Sequence, residues 1–397
     1  MKTIYLDHAA TTPVDNKVFL AIESYFSQDY GNPSEPHLWG QKARGAIDQA
    51  REKVAEFLGA KPQEIIFTSG ATEAINLAHK GLVEAVRKTQ NKTPHIITSQ
   101  VEHKAIMETC KHLEKLGWAK VTYLPVNKDG LVNLQDLEKA IQPETILVSI
   151  MYVNNEVGTI QPIKEIGELI KKINASRLSA ELPSIYFHTD ATQAVSFLPC
   201  EVEKLGVDLL SLSGHKIYAP KGVGALYFKK GTSLVRQQDG GGQEYRLRAG
   251  TENVPSIVAL GKAIELVKNN REQKGKNTER LRKKLIEGVL KIPKVELVGH
   301  FKNQAPHIAT FLVEGVEGEA MMLLLSDQGV AASSGSACTS GLLQPSHVLL
   351  AMGYQPEKAH GSLRFSLGKD NTEEEIEKVI KILPEIVQKL RRMAPKL

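Results

Sequence analysis

Two polar side chains that follow predicted strands have the types needed for one kind of cofactor chemistry. Lys216 comes after an apolar run in LSLSGHKIYAPKGVGALYF, and Asp190 comes at the end of another in YFHTDATQ. Taken singly, Lys216 could be a surface lysine in a turn and Asp190 a helix N-cap. Together, at the ends of strands where α/β sheets bind ligands, a lysine for a Schiff base and an acid for a pyridinium nitrogen predict a pyridoxal phosphate site.

The segment FTSGATEAINLA predicts a place where an anion could bind. A strand ends at Ser69, Gly70 permits a tight turn, and a helix begins near Thr72. The first backbone N–H groups of a helix and its dipole favour an anion. A plain helix cap at Thr72 is the alternative interpretation, because such turns are common.

Only one of the three cysteines lacks apolar neighbours to pack against. Cys338 lies in VAASSGSACTSG, a run of small residues, whereas Cys110 shares a predicted helical face with Ile106 and Leu113. A lone cysteine usually behaves as a small buried apolar residue, which suits Cys110 and Cys200. We therefore expect Cys338 to be a reactive thiol that a loop carries to a substrate.

An arginine and a histidine complete the candidate residues. Arg364 lies on the polar face of a predicted strand, SLRFSLG, where its planar guanidinium could bind a substrate carboxylate or form a structural ion pair. His103, in VEHKA, follows a predicted strand and could face the site or cap a helix at the surface. No histidine spacing matches a metal site, and we expect no metal.

Short β-rich runs alternate with helical patterns through the first part of the chain, which predicts a mostly parallel sheet covered by helices on both faces. The predicted helix Ala74–Val86, for example, repeats apolar residues close to the 3.6-residue period. The predicted strands are Glu64–Ser69, His95–Gln100, Lys120–Val126, Thr145–Val153, Ser184–His188, Asp208–Leu212 and Gly224–Phe228.

The pattern changes near residue 255, where a long, charged, solvated helix leads into a mixture of strands and helices. We predict a large domain over 15–260 and a smaller α+β domain formed by 1–14 and 261–397. The stretch Asn174–Ser184 is predicted to be a surface loop.

Composition excludes several classes of protein. The chain has 397 residues, a net charge of +5, and 42% hydrophobic and 24% charged residues, which is ordinary for a globular protein. Three cysteines exclude a disulfide framework and a four-cysteine zinc site, and fit a reducing cytoplasm. No apolar run is long enough for a membrane span, no basic stripe indicates nucleic acid, and Asp7 and His8 stand where a secretion signal would be apolar.

Taken in order, the motifs resemble those of the cysteine desulfurases, the NifS/IscS-like branch of the fold-type I pyridoxal phosphate enzymes. Each motif is weak alone, but the ordered set is specific and spans nearly the whole chain. The motifs are YLDHAATTP, GNPS, FTSGATEAINLA, EHKA, VNNEVGTIQPI, HTDATQ, SGHKIYAPKGVGALY, RAGTENVPSIV, SSGSACTS and RFSLG.

The resemblance implies a role for each matching residue. It makes Lys216 the Schiff-base lysine, Asp190 the partner of the pyridinium nitrogen, His103 a ring-stacking residue and proton carrier, and Cys338 the persulfide-forming thiol. The remaining matches are Asn155 and Gln193 near the phenolic oxygen; Ala71, Thr72, Ser213 and His215 at the phosphate; Thr251 at the phosphate of a partner subunit; and Arg364, Asn155 and Asn32 at the substrate carboxylate.

The resemblance further implies conversion of L-cysteine to L-alanine in a homodimer with shared active sites. The sulfur would pass to an iron–sulfur scaffold or a tRNA-thiolation protein. Selenocysteine lyase, another class V aminotransferase-like enzyme and a non-enzymatic sulfur carrier or scaffold are the alternatives. The segment between Lys171 and Tyr186 is longer than usual. The chain ends soon after LRRMAPKL, without the longer tail with which some members dock a scaffold, so the resemblance does not by itself imply docking in that manner.

Overall fold

A seven-stranded sheet forms the centre of the larger part of the molecule. The computed structural model describes residues 3–90, 92–334 and 345–393. The described strands, of which β2 to β8 form this sheet, are β1 (Ile4–Tyr5), β2 (Ile65–Thr68), β3 (His95–Ser99), β4 (Lys120–Leu124), β5 (Thr145–Ser149), β6 (Tyr186–Asp190), β7 (Leu209–Ser213), β8 (Gly224–Phe228), β9 (Val295–Val298), β10 (Ile308–Val313), β11 (Val330–Ala331) and β12 (Ser362–Ser366).

The seven strands β2 to β8 confirm the predicted α/β sheet. Their order is β2-β8-β7-β6-β5-β3-β4. All neighbours are parallel except β8, which runs antiparallel to both β2 and β7. Each begins within two residues of its predicted start, because a strand buried on both faces is written as a short apolar run with polar or Gly boundaries.

Helices cover both faces of this sheet. The helices are α1 (Asn16–Ile22), α2 (Leu38–Leu58), α3 (Ala71–Gln90), α4 (Lys104–Lys115), α5 (Leu134–Ala140), α6 (Ile163–Ser179), α7 (Val202–Leu205), α8 (Val254–Val289), α9 (Gly318–Asp327), α10 (His347–Ala351), α11 (Pro356–Ala359) and α12 (Glu373–Met393). Within the described ranges, no helix is both long and apolar enough to cross a bilayer.

Alternation along the strands divides the core into two layers. Ile65 and Phe67 of β2 pack into the core that contains α2 and part of α8, whereas Ile66 packs into the core on the α3 and α4 side. This period of two is the expected result when successive side chains point to opposite faces. Because these strands are parallel, their carboxyl ends lie together at one edge of the sheet, where a ligand site can form.

The second core lies around a three-stranded antiparallel sheet, β12-β10-β9, with the parallel pair β1-β11 beside it. Helix α8 connects the two cores without a break. Leu260 and Ile264 pack in the large core, and Leu281 and Leu285 pack in the small one. Ile4 also packs in the small core, so the chain start and the last third share it. We propose that the division between the two domains falls within α8, between Ile264 and Leu281.

The predicted surface loop Asn174–Ser184 is wrong in its first half, because α6 continues to Ser179. The cause is Arg177, a buried side chain in a polar stretch. Its guanidinium donates to the backbone oxygens of Pro183, Gln142, Pro143 and Thr145 at 2.8 to 3.0 Å. These bonds hold the last turn of α6 against the chain that leads into β5.

Candidate active site

A cavity of about 420 Å³ opens at the carboxyl ends of the parallel strands. We call it the active-site cavity, and its size lies in the ordinary range for a small-molecule site. Nine residues predicted from the sequence line it: Ala71, Thr72, His103, Asn155, Asp190, Gln193, Ser213, His215 and Lys216. Their convergence from separate parts of the chain follows from the parallel topology.

Lys216 lies in the turn after β7, half-buried, with its amine directed to the N-terminal segment of the chain. Its Nζ donates to the backbone oxygens of Ala9 and Ala10 at 2.7 and 2.5 Å. Burial, followed by the positive charge of Arg364, lowers the pKa of Lys216 to about 8, although nearby carboxylates oppose the shift. An amine with such a pKa is neutral often enough near neutral pH to act as a nucleophile or a base.

Asp190 is the last residue of β6 and is only 6% exposed. One carboxylate oxygen accepts from the backbone N–H of Thr192 at 2.9 Å, so the residue caps a turn as well as facing the cavity. Gln193, three residues on, donates from Nε2 to the backbone oxygen of Ala9 at 2.9 Å. Lys216 and Gln193 therefore share an acceptor on the N-terminal segment.

The turn from β2 into α3 forms the anion-binding end of the cavity. Helix α3 begins at Ala71, and the first N–H groups of a helix have no acceptor within it. Gly224 lies under the Gly70 turn so closely that a Cβ there would be 2.7 Å from the Cα of Gly70. Ser213 and His215 add polar atoms. Burial, with the charge of Lys216, lowers the pKa of His215 to about 4, so its ring is neutral.

Glu73 is a carboxylate beside this anion-binding end, and the positive charge of Arg248 offsets its negative charge. It accepts from the backbone N–H of Ser69 at 2.7 Å and pairs with Arg248 at 3.0 Å. Burial alone would raise the pKa of Glu73, but the hydrogen bonds from Ser69 and Arg248 lower it overall. The Arg248 pair also ties the segment before α8 to the start of α3.

His103 fulfils both interpretations made from the sequence, since it caps α4 and lines the cavity. Its Nδ1 accepts from the backbone N–H of Ala105 at 3.1 Å, which leaves the proton of the neutral ring on Nε2. His103 is exposed to the cavity, but the protein atoms around it still disfavour the charged ring and lower the pKa of His103. The charge of Asp190 opposes this lowering, and the charge of Lys216 adds to it. The neutral ring can donate a proton from Nε2.

Glu102, beside His103, is a residue that the sequence reasoning missed. It is fully buried and accepts from Ser99 Oγ at 2.7 Å and from the backbone N–H of Met151 at 3.0 Å. Burial raises the pKa of Glu102 to about 8, and the charge of Asp190 adds to the rise. It joins the ends of β3 and β5 behind His103. An acid directly before a candidate histidine was the available signal.

Arg364 lies next to Asn155 of the cavity wall, is 6% exposed, and forms a structural ion pair. Nη2 donates to Asp7 at 2.9 Å and Nη1 to the backbone oxygen of Asn155 at 2.7 Å. Its Nε is buried without a partner in the described part of the chain. Asp7, which sequence reasoning did not assign, therefore orients the guanidinium, and each terminal nitrogen keeps a second N–H that a ligand oxygen could use.

Three predicted residues of the described ranges are not among those that line the cavity: Asn32, Thr251 and Arg364. Asn32 is exposed, and its side chain accepts from the backbone N–H of Ser34 at 3.0 Å. Thr251 is exposed in the segment before α8. Cys338 lies outside the described residues. The other two cysteines, Cys110 and Cys200, are buried free thiols, as expected of packing residues.

The residues present fit pyridoxal phosphate. The cavity combines a lysine of lowered pKa, an acid at a strand end, and a helix start where a Cβ on Gly224 would intrude. The second N–H groups on Nη1 and Nη2 of Arg364 are left for the carboxylate of an amino-acid substrate. These groups match the aldehyde, pyridine nitrogen and phosphate of the cofactor.

This chain is similar to known proteins in both sequence and structure. A family model described as Aminotransferase class-V matches residues 4–379. A curated relative from Methanosarcina thermophila, named Cysteine desulfurase IscS, is 50% identical over 394 residues, 99% of this chain and 94% of the relative. A solved structure titled NifS-like protein has a TM-score of 0.89 at 39% identity, covering 97% of this chain and 99% of its own. Another, titled SspA in complex with cysteine, has a TM-score of 0.79 at 38% identity, covering 93% and 100%.

Proposed function

The chain belongs to the class-V aminotransferase family and, within it, to the cysteine desulfurases, and from this premise we propose how its own residues carry the reaction. L-Cysteine is converted to L-alanine, and the sulfur passes to Cys338 as a persulfide. The observation that carries the proposal is the position of Lys216, with its lowered pKa, in one cavity with Asp190 and His103.

Pyridoxal 5′-phosphate is the cofactor in this proposal. Lys216 would hold it covalently, Asp190 would face its ring nitrogen, and Asn155 and Gln193 would lie near its phenolic oxygen. Ala71, Thr72, Ser213 and His215 would bind the phosphate. When bound, the cofactor supplies an electron-withdrawing ring that stabilises negative charge on the α-carbon of the substrate.

Proton transfers in this reaction fall to two side chains of the cavity. The neutral amine of Lys216 accepts the α-proton of the substrate, which its pKa of about 8 permits near neutral pH. His103 exchanges protons with the sulfur groups, since its Nδ1 is already used by the helix cap and its Nε2 is left for the cavity. Arg364 binds the substrate carboxylate, with Asn155 beside it.

Sulfur transfer needs no external oxidant. The thiolate of Cys338 attacks the sulfur of the substrate, so that an S–S bond forms while the Cβ–S bond breaks. The electron pair of the broken bond goes to the carbon side. Cβ takes up one proton and Cα regains the proton that Lys216 had accepted, which yields L-alanine. A cysteine thiol has a pKa near 8.5, so the step needs a base or a cationic neighbour.

The described residues on both sides of 335–344 are anchored at the cavity, which supports this role for Cys338. The backbone of Ser333 pairs with that of Arg364. His347 hydrogen-bonds through Nε2 to the backbone oxygen of Glu102 at 2.9 Å, directly before His103. Buried Ser346 donates to Glu156, next to Asn155. These flanking residues contact Arg364 itself or the residues next to His103 and Asn155, which supports the assignment of Cys338 to the substrate site.

We infer that the active unit is a homodimer whose subunits share their sites, with Thr251 of one chain at the phosphate of the other. Large apolar side chains are exposed in the first part of the chain, which is typical of an interface. They are Phe19, Leu20, Phe26, Tyr30, Leu38 and Trp39. A separate acceptor protein would take the outer sulfur of the persulfide. The buried free thiols of Cys110 and Cys200 support a reducing, cytoplasmic setting.

The test combines an absorbance spectrum with persulfide labelling. The purified protein should be yellow, its spectrum should change on adding L-cysteine, and alkylation should identify a persulfide on Cys338. Cys338→Ala should keep the colour and the spectral change, but lose persulfide formation. Production of pyruvate instead of alanine, or sulfide release that Cys338→Ala leaves unchanged, would overturn the proposal.

A further inference from the structure

A second, much smaller cavity lies behind Lys216, where the turn after β6 meets the start of β10. Its volume is about 10 Å³, and it is lined by Thr192, Gln193, Lys216 and His307, among others. Two buried polar atoms of these residues have no partner in the described part of the chain, Thr192 Oγ1 and His307 Nδ1. Because buried polar groups are nearly always hydrogen-bonded, this pair calls for a physical explanation.

The hydrogen bonds around Gln193 fix the tautomer of His307. Gln193 donates from Nε2 to the backbone oxygen of Ala9 at 2.9 Å, so its Oε1 is the atom that faces His307. The distance from that oxygen to His307 Nε2 is 3.2 Å. An amide oxygen accepts only, and therefore Nε2 must carry the proton. His307 Nδ1 then has a lone pair that needs a donor.

A water molecule bound in this cavity would give both unpartnered atoms a partner. A volume of about 10 Å³ is close to the space that one water needs, and a buried water requires two or more polar partners. Such a water would donate to His307 Nδ1 and bond to the hydroxyl of Thr192.

The ring of His307 is also held by stacking on one of its faces. It stacks on Phe197 with 4.4 Å between ring centroids and an interplanar angle of 18°. Burial lowers the pKa of His307 to about 3, and the electrostatic influence of neighbouring basic groups adds to this lowering. These groups are His8, Arg282, Arg364 and Lys216. The ring is therefore neutral over the whole working range, and it serves as a fixed donor instead of a titrating group.

We propose that His307 is a positioning residue for the cofactor, which it orients through Gln193 and a water bound between His307 and Thr192. Gln193 has two N–H groups on Nε2, and one of them is used by Ala9. With Oε1 held by His307, the second N–H is left for the active-site cavity that Gln193 also lines. The inference rests on the proposed function, because the recipient of that N–H is the phenolic oxygen of the cofactor.

The test uses the cofactor-loaded enzyme and follows the visible absorbance of the cofactor bound to Lys216 as a function of pH. In His307→Leu, Gln193 loses its fixed orientation, and the phenolic oxygen loses part of its hydrogen bonding. The midpoint should rise by about 0.5 to 1 pH unit, the equivalent of one ordinary hydrogen bond. Lys216 also faces Arg364, Asp7, Asp190 and Lys221, which all stay unchanged in this variant.

Rescue and packing variants separate this role from a structural one. His307→Gln carries an amide N–H that can replace Nε2–H, so its midpoint should stay near that of the wild type. Phe197→Leu removes the stacking partner alone and should lower thermal stability without moving the midpoint. If His307→Leu does not fold, His307→Asn replaces it, because the shorter amide cannot donate to Gln193 and predicts the same shift.

Several results would overturn the inference while leaving the proposed function intact. These are an unshifted midpoint in His307→Leu, an equal shift in Phe197→Leu, or a failure of His307→Gln to restore the midpoint. A crystal structure of the loaded enzyme should show a water within hydrogen-bond distance of His307 Nδ1 and Thr192 Oγ1, and a dry cavity would contradict the proposed water. A wild-type protein that binds no cofactor would instead contradict the proposed function.

Discussion

The amine of Lys216 is held by two backbone oxygens, yet its pKa is lowered to about 8 from an ordinary 10.5. Burial and the positive charge of Arg364 together outweigh Asp7 and Asp190. Near pH 7.5, about a quarter of such amines are neutral, against about one in a thousand for an ordinary lysine. The site therefore prepares a nucleophile before any ligand binds.

This pKa predicts the pH dependence of cofactor uptake. Because the neutral amine is the reactive form, the rate at which the apoprotein binds pyridoxal phosphate should rise with pH and level off above about pH 8. Stopped-flow absorbance at a series of pH values measures it. A rate that still rises towards pH 10.5 would contradict the lowered pKa. Lys216→Ala should form no adduct that borohydride can fix on the protein.

Arg364 predicts a defect in substrate binding. Arg364→Lys keeps a positive charge near Asp7 but loses the planar fork of the two terminal nitrogens. We expect the KM for L-cysteine to rise about 10- to 100-fold, the effect of one or two charge-assisted hydrogen bonds. Steady-state kinetics gives KM, and the absorbance of the bound cofactor is the control. An unchanged KM would place the substrate carboxylate elsewhere.

At the scale of elements, the contact between β8 and the turn before α3 shapes the anion-binding end. A Cβ on Gly224 would lie 2.6 Å from the backbone oxygen of Leu212 and 2.7 Å from the Cα of Gly70. Gly224→Ala should therefore force the strand and the turn apart, at a cost of about 1 to 3 kcal/mol, and weaken cofactor binding.

Gly275 of α8 supplies the matched control, because a Cβ there meets nothing within 4 Å. Gly275→Ala should be neutral or stabilise by up to about 1 kcal/mol. Thermal unfolding of the apoproteins and titration with pyridoxal phosphate measure both effects. Equal stability and equal affinity in the two variants would show that the close approach at Gly224 has no role.

Local patterns predict elements well where burial is uniform, and poorly where a single side chain makes long-range bonds. The strands of the large sheet were predictable because each is a short apolar run with polar or glycine boundaries. The end of α6 was not, because three of the four backbone oxygens that Arg177 binds lie more than 30 residues earlier in the chain. No periodicity in Asn174–Ser184 records those partners.

The same limit applies to the site. Lys216 and Asp190 were found because residue type and position after a strand carry their chemistry. The backbone oxygen of Ala9 lies 207 residues from Lys216 in sequence, and His307 reaches Gln193 across 114 residues. Contacts of this kind depend on how the two cores meet, which composition and spacing do not encode.

At the scale of the whole molecule, the N-terminal segment connects the two cores at the site. Ile4 and Leu6 pack in the small core, Asp7 pairs with Arg364 of β12, and Ala9 accepts from Lys216 and Gln193 of the large part. A change in the position of the small core would therefore alter the contacts of Lys216 and Arg364 together.

The exposed position of Thr251 leads to a prediction about assembly. It does not line the cavity of its own chain, although Arg248 nearby is tied to Glu73 at the anion-binding end. If Thr251 serves the partner subunit, Lys216→Ala disables the site of its own chain, whereas Thr251→Glu disables the site of the partner chain. Each homodimer should be inactive or nearly so.

Heterodimers of these two variants, purified by separate tags after co-expression, contain one site with both residues intact. They should recover about half of the wild-type activity per dimer, because one site of two is whole. Heterodimers of Lys216→Ala with Asp190→Ala supply the control. In that pair each of the two sites carries one defect, so no activity should return. Lack of recovery in the first pair, or a fully active monomer in sedimentation, would contradict the shared site, since each chain would then complete its own cavity.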